Sequence, residues 1–161
     1  MARNLPWKSV KKNLLLALGV AVFGFILLNL TFIFDFIFQS LISALINLVI
    51  PSIDLLSYKE AFPFMHLSFV IVIIFISWKI FTSKLNGFVK ATFMTVPLAV
   101  IYVTISILAY PSQMIAYLLG GLFGIGVFVY LYYSKQPWLY YFALILISLA
   151  LLVGAVLGME I

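Results

Sequence analysis

The sequence predicts an all-α integral membrane protein: a bundle of five transmembrane helices plus one short amphipathic or re-entrant helix, residues 36–50, at the outer face. Three observations carry this. Of the 161 residues, 66% are hydrophobic and only 8% are charged, whereas soluble domains carry about 25% charged residues. So little polar surface cannot coat a globule in water. Apolar runs recur between short polar joins, and about 20 helical residues cover a hydrocarbon core about 30 Å thick. The runs do not alternate at every second residue, as barrel strands do. In lipid only helices and closed barrels satisfy every backbone group, so unbroken apolar runs mean helices.

The whole chain, 1–161, reads as one polytopic domain. The first span covers about 13–34 and follows Arg3, Lys8, Lys11 and Lys12. It is longer than the apolar core of a signal peptide, about 7–15 residues, and ends in aromatics rather than a small-residue cleavage site. It is therefore expected to be retained, with Trp7 as an interface anchor. Four further spans are expected at about 64–81, 88–109, 112–133 and 138–158. Their joins are turn-like: Ser83 to Gly87, Tyr110-Pro111, and Ser134 to Pro137. Joins this short make neighbouring spans antiparallel.

The segment 36–50 is assigned by charge and by length. With five spans and a cytoplasmic N-terminus, eight of the nine Lys and Arg fall inside, only Lys59 falls outside, and all four acids lie outside. Treating 36–58 as a sixth span splits the basic residues five against four. The preference of Lys and Arg for the cytoplasmic side favours the first arrangement. Fifteen helical residues also reach only about 22 Å, and Pro51 ends or kinks what precedes it. Gln39, Ser40, Ser43 and Asn47 share one arc of about 100° in a helix, as in a segment lying at an interface or lining a cavity. The expected localisation is a prokaryotic cytoplasmic membrane, N-terminus inside and C-terminus outside.

Titratable groups concentrate between Asp35 and His66, which includes Asp54, Lys59, Glu60 and the single histidine. Ionisable groups in a membrane are costly and count as functional by default, but these border predicted spans, where water is reachable. One reading is a solvated rim with a Lys59–Glu60 pair. The other is a ligand or proton pocket at the outer mouth, built from Asn29, Asp35, Gln39, Asn47, Asp54 and His66. Asp35 and His66 lead because each borders a span.

Small residues form a second pattern. Ala116, Gly120 and Gly124, and again Ala150, Gly154 and Gly158, recur at every fourth residue. Such strips let helix backbones approach closely, either against each other in an antiparallel hairpin, with Gly120 meeting Ala150, or against a partner. Pro97 lies within the third span near Thr92, Thr95, Thr104 and Ser106, where a proline frees a carbonyl and kinks the helix. Lys79, Lys84 and Lys90 make a small cytoplasmic basic patch suited to anionic headgroups. The aromatics around Lys135 read as an interface belt.

The pattern also excludes classes. The basic residues sit at span ends rather than on one aqueous face, so nucleic acid is not the partner. With no cysteine and one histidine, thiol catalysis and Cys- or His-rich metal sites are ruled out, and no metal or cofactor is expected. There is no zinc, nucleophile-elbow or phosphate-loop motif. The expected function is a carrier or channel-type transport component with an outer polar pocket. The alternatives are a non-catalytic subunit or assembly factor docking through small-residue faces, and an outer-leaflet lipid-modifying enzyme. Expected partners are the lipid bilayer, a homo-oligomer or membrane protein, and a lipid or small-molecule ligand.

Overall fold

The computed structural model describes residues 7–49 and 62–156. All its elements are helices: α1 Trp7–Val49, α2 Phe62–Thr82, α3 Gly87–Ala109, α4 Gln113–Tyr133 and α5 Trp138–Val156. Four contain segments long and apolar enough to cross a membrane: Ser9–Val49, Pro63–Thr82, Gly87–Ala109 and Gln113–Tyr133. Trp138–Gly154 is also apolar but shorter. The chain is a multi-pass helical bundle of membrane type.

Helix ends follow from local chemistry. The Asn86 side chain caps α3 by accepting the Val89 N–H at 2.8 Å, which satisfies one orphan donor of the first turn. Lys90 Nζ donates to the Phe81 and Ser83 carbonyls at 2.8 and 2.7 Å, placing a cation on the C-terminal end of α2, where the helix dipole is negative. After α4, Lys135 takes φ 52°. Its N–H bonds the Tyr132 carbonyl and that of Gln136 bonds Leu131, a left-handed termination. Pro137 then prevents continuation.

The chain is organised around α3, which touches all four other helices. Its buried residues lie on every side. One core cluster joins Val20 of α1 and Ala91, Met94, Leu98 and Ala99 of α3 to Leu139, Ala143, Leu144 and Ile147 of α5. A second joins Phe69, Val70 and Ile73 of α2 to Val96 and Val100 of α3. By contrast, α4 buries only Gly120 and Leu131, and its remaining apolar surface suits lipid. Two α1 glycines set the approach to α3. A Cβ on Gly19 would lie 2.9 Å from the Phe88 ring, and one on Gly24 would lie 2.9 Å from Thr95 Cγ2.

One expectation differs from what is observed. Residues 36–49 are not a separate outer helix but the continuation of α1, which runs 43 residues without a break, about 65 Å at 1.5 Å per residue. No proline occurs between Trp7 and Val49, and a lone polar residue such as Asp35 does not interrupt the hydrogen-bond ladder. Pro51, Asp54, Lys59, Glu60 and Gly158 lie outside the described residues.

Candidate proton-holding site

Asp35 lies on the buried stripe of α1 with Val20, Gly24, Thr31, Gln39 and Ser43. Asp35 is 7% exposed, and its carboxylate faces His66, 2% exposed, in the first turns of α2. His66 Nδ1 is 2.7 Å from Asp35 Oδ2. Gln39 Nε2 donates to Asp35 Oδ1 at 2.8 Å, so both carboxylate oxygens are held. Across the ring, His66 Nε2 is 3.1 Å from Thr104 Oγ1, and Thr104 Oγ1 is 2.7 Å from the Val100 carbonyl, to which it donates. Three helices thus meet at one polar centre in an apolar bundle.

The hydrogen-bond geometry is compatible with two proton counts, according to the His66 tautomer. Because Thr104 gives its hydrogen to Val100, it accepts from His66 Nε2–H. If Nδ1 were bare and Asp35 ionised, two lone pairs would oppose each other at 2.7 Å. In the arrangement with Thr104 accepting, one proton lies between Nδ1 and Oδ2, as imidazolium–carboxylate or imidazole–carboxylic acid, and the pair is neutral overall. Neutrality suits burial, since an isolated buried charge is costly. A second arrangement is also complete: Thr104 rotates to donate to Nε2, Nδ1–H donates to the carboxylate, and the pair carries one negative charge. The two states differ by one proton and one hydroxyl rotation.

The lysines of α2 and α3 are remote. Lys79 is 13 residues from His66, about 20 Å along α2, and its ammonium sits 5.1 Å from the Trp78 ring and 5.6 Å from Phe75. Among the described residues, no group of three His, Cys, Asp or Glu converges to hold a metal.

Of the residues expected in the pocket, Asp35, Gln39 and His66 come together. Asn29 does not: it is exposed and donates to its own helix at Phe25 O, 2.8 Å. Asn47 lies three turns beyond Asp35, with its Oδ1 buried and lacking a hydrogen-bond partner among the described residues. Thr104 is a site residue that the sequence reading left among the hydroxyls around Pro97. Nothing local distinguishes it from Thr92 or Thr95, because its role depends on pairing α3 with α2.

The small-residue strips are also placed. Gly120 and Gly124 face the Tyr102 ring of α3, not α5. A Cβ on Gly120 would lie 3.5 Å from the ring, and one on Gly124 would lie 2.6 Å from the hydroxyl. That hydroxyl is 2.8 Å from Ser148 Oγ of α5. Ala150 is exposed and Gly154 half-buried, so Gly120 does not meet Ala150. Beside Tyr102 a half-open cleft of about 450 Å³ separates α3 from α4 and α5, lined in part by Ser106, Ala116, Tyr117, Gly121 and Leu152. Tyr102 and Thr104 lie two residues apart, about 200° around α3, so cleft and polar centre sit on opposite faces of one helix. Against protein-family models, curated proteins and solved structures, the chain matches none.

Proposed function

We propose that this protein is a membrane carrier or channel-type transport component that takes up and releases a proton at the Asp35–His66 centre. The observation that carries this reading is the buried contact of His66 Nδ1 with Asp35 Oδ2 at 2.7 Å, completed by Gln39 and Thr104. A purely structural contact between apolar helices is made more cheaply by apolar side chains, since replacing a buried ion pair with them is often neutral or stabilising. A group that alternates between neutral and anionic states without leaving a polar atom unpaired suits proton exchange instead. The reading includes five crossings, with α5 as the fifth and the N-terminus inside, so that α3 is the central post between the proton centre and the cleft at Tyr102.

The test is proton flux into proteoliposomes. Purified protein is reconstituted with trapped pyranine, and a potassium gradient with valinomycin sets an inward potential. Acidification several-fold faster than in protein-free vesicles is expected, and Asp35→Asn should abolish the excess. Wild-type flux equal to that of empty vesicles refutes the reading.

One observation favours subunit docking as a second reading. Past Asp35, α1 continues for 14 residues, about 21 Å. From His66 back to the start of α2, and from Thr104 on to the end of α3, only four and five residues remain. The extension exposes Phe36, Ile37, Leu41, Leu45 and Leu48, an apolar surface suited to lipid or to a membrane protein partner. The strip at Gly120 and Gly124 adds no support, because Tyr102 fills it.

A further inference from the structure

The hydroxyls of the described helices mostly bond back to their own backbone, as Thr31, Ser40, Ser68, Ser77, Thr95 and Thr104 do. This is the usual resort of Ser and Thr in an apolar helix. Ser43 departs from it, as does Thr92 of α3, whose buried Oγ1 also has no partner among the described residues. Ser43 is 1% exposed, and its Oγ has no hydrogen-bond partner among the described residues. Asn47 Oδ1 is buried and unpaired in the same way, whereas Asn29 bonds its own backbone. An unmade hydrogen bond of this kind costs about 1–3 kcal/mol, and a buried water relieves it.

The two orphans on α1 are spaced like links in a chain. Asp35, Gln39, Ser43 and Asn47 recur at every fourth residue of α1, which puts successive Cβ atoms about 5–6 Å apart. A water about 2.8 Å from each of two oxygens spans about 5.6 Å. The repeat along α1 thus matches one bridging water between Gln39 and Ser43 and one between Ser43 and Asn47.

We infer that Ser43 and Asn47 hold a short file of water leading from the Asp35–His66 centre toward the C-terminal end of α1. This file is the route by which the centre exchanges its proton. The inference rests on the proton-exchange reading above. In the anionic state, the Gln39 amide swings aside so that the first water of the file reaches Asp35 Oδ1 and gives it a proton. An O–H bond breaks on the water and one forms on the carboxyl, whose charge goes from minus one to zero. The Gln39 amide turns over so that Oε1 accepts the new hydrogen. The water recovers its proton from the next in file, and ultimately from hydronium at the aqueous end. During this step His66 keeps its Nδ1–H donating to Oδ2 and Thr104 keeps donating to Nε2, so the product is neutral in a third arrangement, with the added proton on Oδ1.

Two measurements test the route. In the pyranine assay, Ser43→Val, which removes the hydroxyl and fills the water position with methyl groups, should slow flux at least tenfold. Ser43→Ala, which leaves room for water, should keep most of it, and Asn47→Leu should behave like Ser43→Val. Loss of flux in Asp35→Asn with wild-type flux in both Ser43→Val and Asn47→Leu overturns the route and leaves the proton centre standing. Unchanged flux in Asp35→Asn removes both. Independently of flux, the natural chain has no cysteine, so Ser43→Cys can be labelled with a small cationic methanethiosulfonate reagent. Reaction at least tenfold faster than at Val20→Cys, in the dry core, is expected; equal rates overturn the water file.

Discussion

Removing His66 while leaving Asp35 in place is the perturbation that the proton count most sharply constrains. In His66→Leu the carboxylate loses its contact at 2.7 Å and keeps only the Gln39 donor, in surroundings where Asp35 is 7% exposed. Leaving one member of a buried pair uncompensated costs about 3–5 kcal/mol. Asp35→Asn should be far milder. The amide oxygen still accepts from Gln39, the amide nitrogen donates to a bare Nδ1, and Nε2–H still donates to Thr104. Each of these three hydrogen bonds survives, and a cost below about 1 kcal/mol is expected, within the range of a single neutral hydrogen bond. The double variant Asp35→Asn/His66→Leu should be less damaged than His66→Leu alone, because no charge is then stranded. Unfolding by SDS titration in mixed micelles, followed by tryptophan fluorescence, measures all three against wild type. If Asp35→Asn costs as much as His66→Leu, or if the double variant is no better than His66→Leu, the neutral proton-sharing pair is wrong.

Three further outcomes follow from the packing. Gly24→Ala places a methyl 2.9 Å from Thr95 Cγ2, and overpacking of this kind should cost about 1–3 kcal/mol in the same titration, with Gly24→Leu failing to fold. Gly121→Leu should unfold like wild type because a Cβ there meets nothing within 4 Å, whereas Gly124→Leu should be clearly destabilised by the Tyr102 hydroxyl. The five-crossing topology is checked by cysteine labelling of intact cells: Ser57→Cys should react from outside, while Lys84→Cys and Gln136→Cys should be protected. The reverse pattern refutes it.

The helices were legible because lipid leaves the backbone few options. Apolar runs at 64–81, 88–109 and 112–133 lie within two residues of the observed α2, α3 and α4, since Asn86, Pro111 and Pro137 mark the joins locally. The break expected near Asp35 was misplaced for a physical reason. A charged residue at the end of an apolar run resembles a span boundary, but backbone hydrogen bonding continues through it when a partner from another helix neutralises it. That partner, His66, is 31 residues away. Asp35 and His66 stood out in the sequence because titratable groups are rare in this chain. Gly19 and Gly24 did not, because whether a glycine admits a neighbour depends on which helix face turns toward it.

By itself, then, the sequence determined the solvent, the all-helical architecture, most helix boundaries and the presence of two unusual titratable groups. These depend on composition, on period and on residues adjacent in the chain. Only the tertiary structure decided that α1 runs unbroken past Asp35, that α3 is the central helix, and that Tyr102 fills the strip at Gly120 and Gly124. It also decided that Thr104, from a third helix, completes the Asp35–His66 centre. Each of these depends on how helices rotate and slide against one another, and in a bundle whose helices are apolar all round, local sequence leaves that choice to a few interhelical contacts.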